Sequence, residues 1–273
     1  MTVCRVLIVV PTLGRRLDHL RQSLNSVVGQ SVPADITLVA PMTSDLEAVA
    51  AQYGARLIPD PGSLPDAINA GMATAAQQHD YVNWLGDDDL LEDGSLAATT
   101  AALDAHPHAT VAYGSCRYID GDGRQLWLSQ AGPWAARVLS WGPDLIPQPG
   151  MMVRRTAWEA VGGLDTTYRF AFDLDLLLRL KKIGPLIATD AITSSFRWHP
   201  DSLTVGDRST NIRESERAKR AALGPLGQRL RWAWEGPVRV ATRLAAREVN
   251  RRALAVAATQ PMSGTRETND GVA

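Results

Sequence analysis

Three consecutive carboxylates, Asp87, Asp88 and Asp89, are the residues whose type and spacing most directly suggest chemistry in this chain. They follow an apolar run, residues 81–85, that is typical of a buried strand. Acidic side chains at the carboxyl end of a strand in an open α/β sheet lie where such folds bind ligands. Carboxylate oxygens together with substrate phosphates are the usual ligands of Mg²⁺ or Mn²⁺. The triplet therefore predicts a metal-binding site, and a solvated acidic turn before a helix near Ser95 is the alternative.

A second pair of carboxylates, Asp173 and Asp175, lies at the start of an apolar helical pattern over residues 173–183. A carboxylate within hydrogen-bond reach of a hydroxyl can accept its proton during a reaction. Residues two positions apart on a helix do not face the same way. We therefore expect one side chain to face a cleft and the other to cap the helix or pair nearby, for example with Arg179. The alternative for Asp173 is an acid stabilised by the positive end of the helix dipole.

The elements that must position these residues alternate between strand and helix over the first 115 residues. The apolar patterns predict strands at 3–10, 36–40, 55–58, 81–85 and 110–113, and helices at 17–28, 44–53, 65–78 and 95–105. Such alternation predicts an α/β fold with a mainly parallel central sheet flanked by helices.

The pattern becomes less regular after residue 115. It predicts a hairpin turn at 120–123, a strand at 151–154, helices at 156–161 and 173–183, and a strand beginning at residue 186. The stretch 127–149 carries three tryptophans and several prolines, which favours either the wall of a binding cleft or a small aromatic core.

The composition is that of an ordinary globular protein, with 45% hydrophobic and 21% charged residues in 273. The two cysteines, Cys4 and Cys116, fall in predicted strands, which indicates buried thiols in a reducing compartment and not a disulfide. No signal peptide is predicted, because the apolar run 6–10 is short and Pro11 ends it. We expect a cytoplasmic protein, with peripheral contact to the inner face of the plasma membrane as a further expectation.

The C-terminal part of the chain differs in charge from the rest. Residues 213–252 carry eleven Lys or Arg against four Glu, with Trp232 and Trp234 among them. Basic amphipathic helices with aromatic residues bind anionic membrane surfaces. We predict a basic helical extension over 206–258 that contacts such a surface through 226–258, followed by a disordered tail over 259–273. The alternative is a helical extension packed on the main domain; nucleic-acid binding is not predicted, because the basic residues come with no recognisable module.

Three segments of the first half resemble the family 2 glycosyltransferases, which have the GT-A fold. The loop with Pro11, Thr12 and Arg15 or Arg16 resembles the family's first nucleotide-contacting loop. The segment 60–71 resembles the Asp-x-Gly…Asp-Ala-x-Asn-x-Gly motif of one large subgroup, and the acidic triplet falls where the family has its metal-binding motif. The resemblance implies nucleotide-sugar contacts from Pro11, Thr12, Arg15, Asp66, Asn69 and Asp87, and Mg²⁺ or Mn²⁺ ligands in Asp88 and Asp89.

Two segments of the second half resemble the acceptor side of the same family. These are Gln148-Pro-Gly, and Gly162-Gly163-Leu-Asp followed by Asp173, Asp175 and Arg179. The resemblance implies that Asp173 is the catalytic base and that Gln148, Gly163 and Asp175 lie on the acceptor side. It also implies a further metal or diphosphate ligand in His199, for which a surface histidine before a turn is the alternative.

Two positions depart from the family pattern. Where relatives often have paired acids after the second strand, this chain has Ala40-Pro41-Met42, with Asp45 as a substitute for reading the base. The first position of the metal-binding motif is Gly86, which makes Asp88 the expected main ligand.

The resemblance implies a GT-A catalytic domain over 1–205, with a nucleotide-sugar half to about residue 115 and an acceptor half from 116. It implies an inverting glycosyltransferase that moves a sugar from a nucleotide-diphosphate sugar to a hydroxyl of a glycan or lipid-linked acceptor, in cell-surface polysaccharide or glycolipid synthesis. The alternatives are a sugar-nucleotide nucleotidyltransferase, which would ordinarily have a Gly-rich loop with a lysine after the first strand, and a degenerate, non-catalytic binding subunit.

Overall fold

The computed structural model describes residues 5–198 and 208–224, with several positions between 229 and 240. The strands of the described residues are Val6–Pro11 (β1), Ala34–Ala40 (β2), Arg56–Pro59 (β3), Tyr81–Trp84 (β4), Leu90–Leu91 (β5), Val111–Ile119 (β6), Gln125–Ser129 (β7), Met152–Arg154 (β8) and Leu186–Arg197 (β9). The helices are Leu17–Val28 (α1), Ser44–Tyr53 (α2), Leu64–Met72 (α3), Ser95–Ala105 (α4), Pro133–Val138 (α5), Arg155–Val161 (α6), Phe172–Ile183 (α7) and Arg208–Ala222 (α8).

The strands form one sheet in the order β3-β2-β1-β4-β8-β6-β9-β5, with β7 paired to β6. The first four strands of this order are parallel to one another. Strand β8 then joins the two halves by pairing antiparallel with both β4 and β6, and β6 and β9 are again parallel. The predicted α/β fold, with a parallel sheet in its first half and flanking helices, is confirmed, and the antiparallel β8 makes the complete sheet mixed.

Strand β1 shows why the sheet lies in the middle of the molecule. All six of its residues are buried. Leu7 and Val9 belong to the hydrophobic core on one face, and Val6, Ile8 and Val10 belong to the core on the other. Because successive side chains of a strand point to opposite faces, a continuous apolar run is what a strand covered on both faces requires.

Helix α3 packs so closely on the sheet that only glycine fits at one of its positions. A Cβ atom at Gly71 would clash with the Val9 side chain and come within 3.0 Å of Val39 Cγ2. The predicted helix 65–78 is too long, because the observed helix ends at Met72. Just beyond the end of the observed helix, the Thr74 hydroxyl donates to the carbonyl oxygen of Gly71 at 2.7 Å.

Strand β6 is longer than the sequence pattern predicts. Strand β6 continues to Ile119, past the predicted end at residue 113, because it pairs with β9 on one side and β7 on the other.

Cys116 lies buried within this strand, as predicted, and Cys4 lies outside the described residues. None of the helices in the described part of the chain has the length and apolar character that crossing a bilayer requires.

Candidate active site

The carboxyl ends of β1 and β4 bring Thr12 and the acidic triplet together. Thr12 follows β1, and its hydroxyl donates to Asp87 with an Oγ1–Oδ2 distance of 2.5 Å. The same hydroxyl oxygen accepts the Gly14 N–H at 3.0 Å. Burial raises the pKa of Asp87, although the hydrogen bond from Thr12 by itself lowers that pKa. The structure therefore joins the predicted first loop and the triplet into one polar cluster at the sheet edge.

Asp88 is the member of the triplet that forms an ion pair at the surface of this cluster. Its Oδ2 lies 3.3 Å from Nη1 of Arg16, and its side chain is 21% exposed. Arg16 is thus the arginine of the first loop that contacts the triplet, whereas the predicted Arg15 is exposed beside it. Solvent reaches the Asp88 carboxylate, so a ligand can reach it as well.

Asp89 points inward, in contrast to its predicted position as a metal ligand. Only 5% of the residue is exposed, and its Oδ1 accepts the backbone N–H of Arg197 at 3.0 Å. Burial, and then the neighbouring charge of Asp88, raise its pKa well above the usual range. A Cβ atom at Gly86 would lie 2.7 Å from Asp89 Oδ2, so glycine at this position allows the carboxyl group to fold back on the turn. Asp89 supports the turn from within the protein.

Arg197, at the end of β9, holds the backbone of the acidic turn in place. Its guanidinium donates to Asp88 O at 3.0 Å, to Gly121 O at 2.7 Å and to Gln22 Oε1 at 2.8 Å. Arg197 is only 2% exposed, and a buried charge of this kind is tolerated because its donors are used. The sequence analysis missed this residue; an arginine ending a long strand-like run was the only signal.

Helix α1 supports the turn from the other side. Ser23 is fully buried and donates to Gly86 O at 3.0 Å. His19, near the start of the helix, lies close enough to the cluster that the charges of Arg197 and Arg16, after burial, lower its pKa. Its Nδ1 atom is buried and has no hydrogen-bond partner among the described residues.

Asn69 connects the first half of the chain to the glycine pair of the second half. Its Nδ2 donates to Leu164 O and its Oδ1 accepts Leu164 N–H, both at 2.9 Å. Gly163 has φ +72°, and a Cβ atom there would lie 2.8 Å from Asn69 Oδ1. The two predicted motifs therefore meet, and the Asn69 amide is occupied in joining them. Asp66 lies exposed at the start of α3, where its N–H binds the Ser63 hydroxyl.

Gln148 fixes the loop before β8 to the end of β4. Its Nε2 donates to Trp84 O at 2.7 Å, and Asn83 Nδ2 donates to Pro149 O at 3.0 Å. A Cβ atom at Gly150 would clash with the Thr193 side chain, so β9 also approaches this loop closely. Gln148 thus binds the end of the strand that leads into the acidic turn.

Asp173 begins helix α7 next to the end of β4. The adjacent Phe172 packs against Trp84 with ring centroids 6.3 Å apart. Asp175 faces elsewhere: its Oδ2 accepts from Arg179 Nε at 2.8 Å, and the arginine also donates to Val161 O at 2.7 Å. The predicted pairing of one acid with Arg179 is therefore confirmed for Asp175, whereas Oδ1 of Asp173 accepts the Leu174 N–H at 2.8 Å.

A second acid and a lysine lie near Asp173. Burial raises the pKa of Asp173 to about 6, and burial followed by the charge of Asp173 raises the pKa of Asp144 to about 7. Lys219 of α8 is only 5% exposed. Its positive charge by itself lowers the pKa of Asp144 and so opposes the effect of burial. Asp144 is exposed and Asp173 is partly exposed, so solvent reaches both residues.

The donor atoms at the acidic turn fit a divalent cation of the Mg²⁺ or Mn²⁺ type. Among the described residues no group of three or more His, Cys, Asp and Glu side chains forms a metal cage. Mg²⁺ usually takes one or two carboxylates and completes its shell with water and substrate phosphates. The accessible carboxylate of Asp88, beside Asp87, meets that requirement. His199 lies outside the described residues.

A mixed α/β sheet with an acidic turn at the carboxyl end of β4, and a part-buried acid on a helix beside it, has the architecture of GT-A glycosyltransferases. The sequence matches the model of glycosyl transferase family 2 over residues 7–161. This match covers more than half of the chain, and the chain belongs to that family. No curated protein matches the chain in sequence.

Solved structures of two glycosyltransferases resemble the chain in fold. The 1–349 fragment of S. aureus TarS superposes with a TM-score of 0.59 at 14% identity, covering 80% of this chain and 65% of that one. The match to the longer TarS structure covers 39% of that chain. A further matching structure is TarS 1–349 in complex with UDP-GlcNAc. The mannosyltransferase PcManGT from Pyrobaculum calidifontis, in complex with GDP-Man and Mn²⁺, gives a TM-score of 0.61 at 16% identity, covering 94% of this chain and 76% of that one. At these identities the likeness concerns the fold.

Proposed function

We propose that this protein is an inverting, divalent-metal-dependent glycosyltransferase that moves a sugar from a nucleotide-diphosphate sugar to a hydroxyl acceptor. The observation that carries the proposal is the contact between Phe172 and Trp84. Trp84 ends the strand that leads into the acidic turn, and Phe172 precedes Asp173. A diphosphate-binding cluster and a proton acceptor are thereby held at the same edge of the sheet.

The donor side of the reaction is assigned to the cluster around the acidic turn. Asp88, with Asp87 beside it, would hold Mg²⁺ or Mn²⁺, and such a cation stabilises the negative charge that develops on a diphosphate leaving group. Thr12 orients Asp87 through its hydroxyl. Arg197 and Asp89 keep the turn rigid, so the carboxylates need little rearrangement when the donor binds. The complexes of TarS 1–349 with UDP-GlcNAc and of PcManGT with GDP-Man and Mn²⁺ support a nucleotide-sugar donor and a divalent metal.

The acceptor side of the reaction is assigned to the start of α7. Asp173 takes the proton of the acceptor hydroxyl as its oxygen attacks the anomeric carbon and the nucleoside diphosphate leaves. One displacement with one base inverts the anomeric configuration and needs no covalent sugar–enzyme intermediate. Gln148 positions the loop before β8, Gly163 leaves room for Asn69 to bind Leu164, and Asp175 supports α7 through Arg179.

A thermal-shift screen tests donor binding. A ligand that binds only the folded state raises the unfolding midpoint. We expect one of the UDP-, GDP- or dTDP-sugars to raise it in the presence of Mn²⁺ and to have a much smaller effect in the presence of EDTA. The absence of any metal-dependent shift across the three groups would contradict the proposal.

The transfer rate should depend on the ionisation of Asp173. Only the ionised carboxylate can accept a proton, and its pKa is raised to about 6 next to Asp144 at about 7. With saturating donor we expect kcat to fall as the pH is lowered through this range and to level off above it; the apparent pKa values belong to the coupled pair. Rates measured from about pH 5 to about pH 9 check this, and a rate that rises toward low pH would exclude Asp173 as the base.

The acceptor is proposed to be a glycan or a lipid-linked sugar at an anionic membrane surface. The support is the sequence from 226 to 258, which carries seven arginines against two glutamates together with Trp232 and Trp234. Both tryptophans lie outside the described residues. Within the described residues, Arg220 is paired with Glu235 at 2.5 Å, so part of the segment contacts α8.

Removing residues 226–273 should weaken binding to anionic liposomes while donor hydrolysis is retained. Each Lys or Arg near an anionic surface contributes about 1 kcal/mol, so the loss should be large and sensitive to salt. Co-sedimentation at low and high salt is the measurement. A full-length protein that stays in the supernatant at both salt concentrations would contradict membrane binding. Insoluble truncated protein would instead show that the segment is packed on the catalytic domain.

A further inference from the structure

Helix α8 contacts the N-terminal end of α7, the helix whose second residue is the proposed base, Asp173. The carboxylate of Glu214 accepts three successive backbone N–H groups, those of Arg169 at 3.1 Å, Phe170 at 2.8 Å and Ala171 at 3.1 Å. The residue that precedes α7 is Ala171, which has no side chain that could cap the helix. Glu214, 43 residues further along the chain, binds the segment that leads into α7: of the three N–H groups only that of Ala171, the N-cap residue, belongs to the helix start.

This arrangement favours an ionised glutamate at a helix N-terminus. The first N–H groups of a helix lack partners within the helix, and a negative charge at that end is stabilised by the helix dipole. Burial would raise the pKa of Glu214, but the hydrogen bonds from the three backbone amides outweigh it and the pKa is lowered. The carboxylate is therefore charged at neutral pH, and its hydrogen bonds are of the stronger, charge-assisted kind.

Other contacts show that α8 is packed firmly against this region. Arg217 lies over the Tyr168 ring at 3.7 Å and donates to Thr167 O at 3.1 Å. Lys182 of α7 donates to Ala221 O at 3.2 Å, and Ala218 is 1% exposed. The helix thus holds the segment before α7 at several points, although it lies beyond the residues matched by the family.

We propose that Glu214 is a positioning residue for sugar transfer, which sets the place of the Asp173 carboxylate by fixing the backbone of residues 169–171. The proposal rests on the function proposed above. Asp173 follows Ala171 by two positions, so a change in this backbone moves its carboxylate directly. A displacement of about 1 Å at a reacting group can cost about 10²-fold in rate. Helix α8 is then part of the catalytic unit, and the domain boundary predicted at residue 205 lies too early.

The test compares Glu214→Gln and Glu214→Asp with the control Glu216→Gln. Glu216 lies on the same helix and forms an ion pair with Arg220 at 3.4 Å. We expect Glu214→Gln to lower kcat about 10²-fold with little change in the donor KM, and Glu214→Asp, which keeps the charge, to lose less. The control should keep the wild-type kcat. Amide hydrogen exchange of the full-length protein should become faster in the segment 168–175 for Glu214→Gln and not for the control.

The outcomes separate the positioning role from the proposed function. If Glu214→Gln exchanges faster in that segment but keeps the wild-type kcat, the positioning role is wrong and the proposed function stands. If Glu214→Gln does not fold, the same comparison is made with Glu214→Asp, and an unchanged kcat there overturns the positioning role. A wild-type protein that transfers sugar from none of the donors overturns the proposed function and the positioning role together.

Discussion

Replacement of Asp173 by asparagine is expected to lower sugar transfer by about 10²–10⁴-fold, the usual contribution of a general base, while donor binding is kept. Asparagine has nearly the same shape but cannot accept the proton of the acceptor hydroxyl. Asp173 is not one of the proposed metal ligands, so the metal-dependent thermal shift with donor should equal that of the wild type. The measurement combines turnover at saturating donor with the thermal-shift assay.

Asp175→Asn provides the matched control for this variant. Asp175 is paired with Arg179 at 2.8 Å and is buried, so its replacement should mainly lower the unfolding midpoint. Compared per folded molecule, it should lose much less activity than Asp173→Asn. Turnover of Asp173→Asn at the wild-type level would show that another group takes the proton, with Asp175 and Asp165 as the next candidates.

Replacement of Asp88 by alanine is expected to abolish metal-dependent nucleotide binding and to leave the fold intact. The carboxylate is partly exposed at the end of a strand and contributes little to the hydrophobic cores. Without it, the proposed cation loses its main protein ligand. Titration of nucleoside diphosphate with and without Mn²⁺ is the measurement, and an unchanged Mn²⁺ dependence in the variant would contradict the assignment.

The variant Asp89→Asn distinguishes the role of Asp89 from that of its neighbour Asp88. Asp89 is buried and accepts the N–H of Arg197, so asparagine can keep the hydrogen bond through its side-chain carbonyl. We expect this variant to keep Mn²⁺-dependent binding, although its unfolding midpoint can change. Loss of the Mn²⁺ dependence in Asp89→Asn and not in Asp88→Ala would reverse the two roles.

Local signals in the sequence were sufficient for several elements of the fold. Helix α2 occupies the predicted residues because Thr43 accepts the Leu46 N–H at its start and Gly54, with φ +62°, ends it. Helices α1 and α4 also have their predicted bounds. Strand β5 was not predicted, because its two residues are held by pairing with β9.

Which member of the acidic triplet is buried could not be predicted, because three identical neighbouring residues carry no local difference. Asp89 is the buried member, and its carboxylate accepts the N–H of Arg197 from 108 residues away. The same holds for Asn69, whose partner Leu164 is 95 residues distant, and for Glu214 beside the start of α7. Contacts of this kind depend on the assembled sheet and not on the spacing of residues along the chain.

The products released from the donor test the central claim most directly. The protein is incubated with the sugar nucleotide selected in the thermal-shift screen, with Mn²⁺ or with EDTA, and the nucleotide products are separated by chromatography. A glycosyltransferase releases free nucleoside diphosphate, and we predict this product with Mn²⁺ and little of it with EDTA or with Asp88→Ala. A parallel incubation with the nucleoside triphosphate and the sugar phosphate tests the alternative: formation of the sugar nucleotide with release of pyrophosphate would identify a nucleotidyltransferase. The absence of turnover with every donor would identify a binding subunit, and either result would contradict the account.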